Sequence, residues 1–124
     1  MPESPIQTLA WSDLPTDRPM DLIERQRIIG EHMMISRVHL SKGFSVPTHN
    51  HQNEQFAVVL SGKIRFDIGP SDDPASESTT LGAGQVLVIP PNAPHSATAI
   101  EDTLILDIFS PPSEQTGVDA QSSN

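Results

Sequence analysis

The chain has 124 residues, of which 16 are acidic and 7 basic, and its formal net charge is −9 at pH 7. This charge argues against binding to nucleic acid or to an anionic membrane surface, because both attract basic proteins. The absence of cysteine excludes disulfides and thiolate metal sites. The length predicts one domain with one core.

No apolar run approaches the roughly 20 residues that span a bilayer, and the first residues lack the basic start and apolar core of a signal peptide. We therefore expect a cytoplasmic protein. Its expected partner is a small-molecule substrate, with no nucleic acid and no membrane involved.

Twelve prolines and seven glycines divide the chain into short segments rich in Val, Ile and Phe. Segments of this kind, which predict β-strands, lie at 22–29, 33–40, 56–68, 84–90, 96–100 and 103–109. The first two flank Gly30-Glu31-His32 and predict a hairpin, and the third turns at Ser61-Gly62. Many short strands with turn signals between them are typical of an all-β barrel or two-sheet fold.

Residues 21–110 are predicted to form this barrel. Within it, residues 69–80 are acidic and polar, a composition that predicts a mobile hairpin loop. The preceding segment, residues 1–20, contains the only tryptophan, Trp11, and is expected to pack on the barrel or on a second subunit. Residues 111–124 predict a flexible tail, because their composition cannot bury much apolar area.

Two of the five histidines, His49 and His51, are one residue apart. Side chains two apart on a strand point to the same face, so the two imidazoles can converge. Gln55 shares their parity in an extended chain, but a loop before it would change the register and make Glu54 the ligand instead. His95 follows the turn Ile-Pro-Pro-Asn-Ala-Pro. Three imidazoles and one oxygen donor suit a divalent transition metal with open coordination positions.

Both histidine segments resemble the motifs of the cupin superfamily. The first motif is glycine, five residues, His-x-His, three or four residues, Glu or Gln, six residues and glycine, which matches 43–62. The second is glycine, five residues, proline and then a histidine before a strand, which matches 84–95. The resemblance implies a small double-stranded β-helix, or jelly-roll, barrel, and cupins are usually homodimers.

Carried over residue by residue, the cupin metal ligands are His49, His51, Gln55 and His95. Many cupins place a glutamate where this chain has Gln55. A neutral amide donates less charge, so the ion would be a stronger Lewis acid. The ion expected is Zn, Ni, Fe or Mn, and the sequence leaves the choice among them open.

A narrower resemblance links the chain to the small single-domain cupins of the pectin-degradation type. In those proteins the metal lies beside an Asp and a Phe on the last strand, and the reaction opens or rearranges an unsaturated uronate ring. Asp107 and Phe109 match these positions, which implies that Asp107 is a general acid or base. Phe109 would then be a cavity wall. The strand pattern agrees, because Ile105, Asp107 and Phe109 share one face.

One departure from that group concerns arginine. Those cupins carry an arginine shortly after the Phe, suited to a carboxylate, whereas this chain has none after Arg65. A uronate would have to be recognised by the metal or by Arg25, Arg27 or Arg37. Two alternatives to an isomerase or ring-opening enzyme remain open here, namely a metal-dependent dioxygenase and a non-catalytic small-molecule-binding module.

Overall fold

The computed structural model describes residues 5–112. A short 3-10 helix at Trp11–Asp13 precedes nine strands in this part of the chain. The strands are β1 Ile23–Ile29, β2 Met34–Leu40, β3 Ser45–His49, β4 Glu54–Ser61, β5 Lys63–Ile68, β6 Glu77–Gly82, β7 Val86–Ile89, β8 His95–Ala99 and β9 Thr103–Ser110.

The strands form two antiparallel sheets. The larger sheet has the order β1-β2-β9-β4-β7, and the smaller has the order β3-β8-β5-β6. Consecutive elements are often placed in different sheets, as expected when a jelly roll folds one ribbon over itself. The predicted all-β jelly-roll class is confirmed.

The hairpin predicted around residues 30–32 is present. β1 and β2 pair along their whole length, from Ile23 opposite Leu40 to Ile29 opposite Met34. The amide of Gly30 donates to the carbonyl of Met33 at 2.7 Å and closes the turn.

The turn at Ser61-Gly62 does not form a hairpin between β4 and β5. β4 pairs with β7 and β9, whereas β5 pairs with β6 and β8, so the turn carries the chain from one sheet to the other. Gly62 has φ +89°, and a Cβ there would lie 2.2 Å from the carbonyl oxygen of Asp102. Glycine is required at this crossing because any side chain would collide with the backbone.

Alternation along the strands places the core between the sheets. In β2 the even-numbered residues are buried while their neighbours are more exposed, which is the period expected when one face of a sheet is covered. The buried apolar residues that form the core are Ile23, Val38, Leu40, Phe44, Val46, Ala57, Val59, Ile64, Phe66, Leu81, Ile89, Ala97, Ala99 and Ile105.

The acidic segment 69–80 is a hairpin loop only in part. β6 begins at Glu77 and pairs with β5, from Ile68 opposite Glu77 to Lys63 opposite Gly82. Residues 77–80 therefore belong to a strand, because pairing with β5 provides the backbone hydrogen bonds that a loop would lack.

The N-terminal segment contacts the chain's own barrel. Asp17 and Arg25 exchange backbone hydrogen bonds of 2.9 and 3.0 Å, and the side-chain amide of Gln26 donates to the carbonyls of Trp11 and Leu14. The predicted flexible tail falls almost wholly on residues 113–124, which lie outside the described residues. Within residues 5–112, no helix has the length and apolar character needed to cross a membrane.

Candidate metal centre

A cavity opens between the two sheets, and its wall combines apolar core residues with a polar group at one end. The volume open to the centres of water-sized molecules is about 80 Å³, several times the roughly 10–15 Å³ that one water needs. The polar residues that line it are Arg25, Ser36, His49, His51, Gln55, His95 and Asp107.

Three of these residues are the histidines selected from the sequence. His49 ends β3 and pairs with His95 at the start of β8, after an irregularity in the register beyond Val46. His51 lies two residues past the end of β3, so a bend rather than strand alternation brings its ring to the group. The ring centroids are 4.3 Å apart for His49 and His95, 5.1 Å for His51 and His95, and 5.7 Å for His49 and His51.

Backbone carbonyls set the tautomer of all three rings. Each Nδ1 lies at hydrogen-bond distance from a carbonyl oxygen two residues away, and a carbonyl can only accept, so each Nδ1 carries the proton. Each Nε2 therefore keeps a free lone pair, which is the form that binds a metal. The bonds are His49 Nδ1 to Pro47 O (2.9 Å), His51 Nδ1 to Asn53 O (3.0 Å) and His95 Nδ1 to Ala93 O (2.9 Å).

The three histidines fit a metal ion. One ring nitrogen from each lies within 4.8 Å of the others. The Nε2 of His51 is buried and has no hydrogen-bond partner in the described part of the chain. A buried acceptor without a partner costs free energy, and a coordinated cation would remove that cost.

Burial also favours the neutral form of two of the three histidines, His49 and His95. It lowers the pKa of His95 to about 4, an effect that the bond to Ala93 opposes and the nearby His49 and His51 reinforce. Burial likewise lowers the pKa of His49. Neutral imidazoles are the species that coordinate metals, so these two rings do not have to lose a proton when an ion binds near pH 7.

Gln55 rather than Glu54 faces the histidines. Gln55 is buried on the inner face of β4 and lines the cavity, whereas Glu54 is exposed and outside it. The side-chain Nε2 of Gln55 donates to Asp107 Oδ1 at 2.9 Å. That bond orients the amide and leaves its carbonyl oxygen as the atom able to bind an ion.

Asp107 and Phe109 occupy the inner face of β9 beside this group. Burial raises the pKa of Asp107 to about 6, although the hydrogen bond from Gln55 acts in the opposite direction. Phe109 is buried, and its ring centroid lies 5.8 Å from that of His51 with the planes at 76°. The site therefore holds a carboxyl group that gains or loses a proton at mildly acidic pH, against an aromatic wall.

Two asparagines that the sequence did not single out hold His51 in place. Asn53 is almost fully buried, and its side chain donates to the carbonyl of Pro111 while its own carbonyl accepts from His51. The amide of Asn92 donates to the carbonyl of His51 at 2.8 Å. Asn92 has φ +66°, a conformation that asparagine tolerates better than most residues. In the sequence, only the prolines around Asn92 indicated a turn at this position.

The three candidate arginines lie in different places. Arg25 is buried and lines the cavity, and Arg27 shares its face of β1. Arg37 has the opposite parity to the buried residues of β2, and its Nη1 donates to Gln26 Oε1 at 3.4 Å. Arg37 is thus outside the site.

In a comparison with protein families, residues 36–109 match the Cupin domain. A search of curated proteins gave no match. The matched range contains the three histidines, Gln55, Asp107 and Phe109.

Solved structures with similar folds include KdgF from Halomonas sp. (TM-score 0.78, 22% identity, 89% of this chain and 97% of that one). An RmlC-like cupin from Shewanella frigidimarina gives a TM-score of 0.78 at 20% identity, covering 89% and 95% of the two chains. A single-substitution variant of the oxalate decarboxylase of Bacillus subtilis gives 0.77 at 19% identity over 93% of this chain and 33% of that one.

At these identities the structural likeness shows a shared fold. The family match covers more than half of the sequence and includes both histidine segments. The chain belongs to the cupin domain family.

Proposed function

We propose that this cupin is a metal-dependent enzyme that opens or isomerises the ring of a small unsaturated sugar acid. The observation that carries the proposal is the hydrogen bond from Gln55 to Asp107 beside three metal-competent histidines. The pectin-degradation resemblance and the fold shared with KdgF support the choice of substrate.

The three histidines and Gln55 would hold a divalent Zn, Ni, Fe or Mn ion. Such an ion supplies Lewis acidity to an oxygen of the bound molecule. One structure of Bacillus subtilis oxalate decarboxylase was used to study Mn(II) centres in that protein, and manganese is one of the ions to test here.

Asp107 would transfer the proton. In the proposed reaction, the hydroxyl group on the ring carbon next to the ring oxygen loses its proton to the Asp107 carboxylate. The bond between that carbon and the ring oxygen then breaks, which leaves a carbonyl group at the carbon and an enolate at the former ring oxygen. The enolate then takes a proton on carbon, so the product is an isomer and no oxidant is consumed. A pKa raised to about 6 suits a group that both accepts and returns a proton near neutral pH.

The neighbours of Asp107 support that task. Gln55 donates to Asp107 Oδ1 and fixes the orientation of the carboxyl group. Phe109 is buried against His51 and would exclude water from the reacting bonds, which strengthens electrostatic interactions inside the cavity.

The test is turnover of an unsaturated uronate by the metal-loaded protein, followed as loss of ultraviolet absorbance. Asp107→Asn keeps the shape of the side chain but cannot accept the proton, and kcat should fall by about 100-fold or more. Asp67→Asn, which alters an exposed carboxylate bound to Arg65, is the matched control and should leave kcat unchanged. A wild-type rate equal to that of free metal ion would falsify the proposal.

A further inference from the structure

Of the five arginines in the sequence, two, Arg25 and Arg27, lie two residues apart on β1 and so share the face whose Arg25 lines the cavity. Arg18 is exposed and bonds to Glu24 at 2.6 Å. Arg65 is exposed on β5 and bonds to Asp67, and Arg37 lies on the outer face of the larger sheet. Two candidates therefore remain: Arg25, which lines the cavity, and Arg27, which lies next to the lining on the same face of β1.

Arg25 is committed to Asp17. Its Nε lies 2.9 Å from Asp17 Oδ1 and its Nη2 lies 3.2 Å from Asp17 Oδ2, and only 6% of the residue is exposed. A bidentate pair of this kind uses the planar fork that an external carboxylate would need. Arg25 is thus better suited to anchoring the N-terminal segment than to binding a ligand.

Arg27 is in the opposite situation. Its Nη2 is 3.6 Å from Asp17 Oδ2, a loose contact, and 23% of its side chain is exposed. Its Nη1 is buried and has no hydrogen-bond partner among the residues described. An unpaired buried donor of a charged group costs free energy, and an acceptor on a bound ligand would remove that cost.

The position of Arg27 relates it directly to Asp107. Arg27 lies opposite Ser36 in the pairing of β1 with β2, and Ser36 lies opposite Asp107 in the pairing of β2 with β9. The three residues form one row across the inner face of the sheet, with backbones spaced about 5 Å apart from strand to strand. The residue between the two charged groups is a small serine that itself lines the cavity.

We propose that Arg27 binds the carboxylate of the ligand, in place of the arginine that this chain lacks after the last strand. The ligand class is a small sugar acid, with its carboxylate on the Arg27 guanidinium and its ring beside Asp107 and the histidines. This assignment rests on the proposed function in taking the cavity as the ligand site, but it requires only binding and no turnover.

The experiment compares two probes that differ only at the acid group, glucuronate with a charged carboxylate and glucuronamide with a neutral amide, by calorimetric titration of the zinc-loaded protein. Wild type should bind glucuronate at least about tenfold more tightly, because hydrogen bonds to charged groups are worth this much or more. Arg27→Met should bring the affinity ratio close to one by weakening glucuronate alone. Arg37→Met removes an arginine from the outer face of the same sheet and should keep the wild-type ratio.

Arg27→Lys separates charge from geometry. It keeps the positive charge but loses the fork, so its ratio should lie between those of wild type and Arg27→Met. Should Arg27→Met fail to fold, Arg27→Lys carries the test, and a ratio unchanged from wild type in that variant overturns the assignment.

Three other results overturn it as well: a retained preference in Arg27→Met, an equal loss in Arg27→Met and Arg37→Met, or no preference in wild type. Failure of the proposed function looks different. It would leave the selective binding intact and abolish only the turnover of the unsaturated uronate.

Discussion

At the scale of single residues, the site depends on which histidine ring nitrogens form hydrogen bonds with the backbone and which do not. The carbonyls of Pro47, Asn53 and Ala93 accept from the three histidine Nδ1 atoms, so the backbone fixes which ring nitrogens, the three Nε2 atoms, are available to a metal ion. This arrangement reduces the reorganisation needed on binding, because the rings are already oriented and two of them are kept neutral by burial.

Asp107 should make the metal-free protein less stable above about pH 6 than at pH 4. Its pKa is raised to about 6 in the folded chain, above the ordinary value, so the folded state favours the protonated form. The ionised carboxylate therefore costs stability, and that cost grows as pH rises from about 4 to 6 and then stays constant. In metal-free protein at pH 8, Asp107→Asn should raise the melting temperature by about 5 °C, an advantage that disappears as the pH approaches 4.

The control for this prediction is Asp67→Asn. Hydrogen bonds from Ser78 and Arg65 lower the pKa of Asp67, so its ionised form is favoured in the folded chain and its removal should not raise the melting temperature. Thermal unfolding followed by circular dichroism at pH 8, 6 and 4 measures both variants. Equal shifts at every pH for Asp107→Asn would show that its effect is one of packing and not of charge.

At the scale of elements, the site is built where strands end. β3 ends at His49 and β8 begins at His95, and the bend after β3 presents His51. Asn92 and Asn53 join this bend to the turn before β8 and to the chain after β9. Three segments that are far apart in sequence are thereby held around one point, which is the condition for a rigid metal centre.

Asn53→Ala should test this bracing. The substitution removes a buried donor and leaves the Pro111 carbonyl without its partner, so stability should fall by about 1–3 kcal/mol. The affinity for Zn²⁺ should weaken about tenfold, the size of effect seen when a group supporting a ligand is lost. Calorimetric titration with Zn²⁺ and urea unfolding measure the two effects.

Asn50→Ala is the matched variant for that experiment, since Asn50 is exposed and adjoins the same histidines. It should leave both quantities close to wild type. An equal loss of zinc affinity in both variants would mean that any substitution in this bend disturbs the histidines. The hydrogen bond from Asn53 to Pro111 would then not be what holds them in place.

At the scale of the whole molecule, four exposed apolar side chains lie on one face of the larger sheet. On the outer face of β4 and β7, Phe56 is 40%, Leu60 44%, Val86 51% and Val88 53% exposed. Phe56 pairs with Val88 across the two strands, so the patch is continuous. An exposed patch of this kind is typical of an interface.

We propose that a second copy of the chain covers this face. The net charge of −9 makes two copies repel each other over most of their surfaces, and these four uncharged residues offer a face where contact is not opposed. Light scattering should give twice the mass of one chain for wild type and a single mass for Val88→Glu. Thr80→Glu, on an exposed position of β6, should remain a dimer, and a monomeric wild type would rule the pairing out.

The sequence by itself determined most of the strands and the choice of candidate ligands, but it missed β3 and β6. Strand alternation, turn residues and the spacing of His49, His51 and His95 are local properties, and the chain carries them before it folds. The crossover at Gly62 could not be predicted in the same way, because whether β4 pairs with β5 or with β7 and β9 depends on contacts between distant segments.

Only the tertiary structure decided which polar groups meet. Glu54 and Gln55 differ by one position, and pairing with β9 turns Gln55 inward to Asp107, since a shift of one residue reverses the face of a strand. The same rule places Arg27 on the inner face and Arg37 on the outer one. The tautomers of the histidines likewise depend on where particular carbonyls lie, which is a matter of backbone geometry that residue types do not specify.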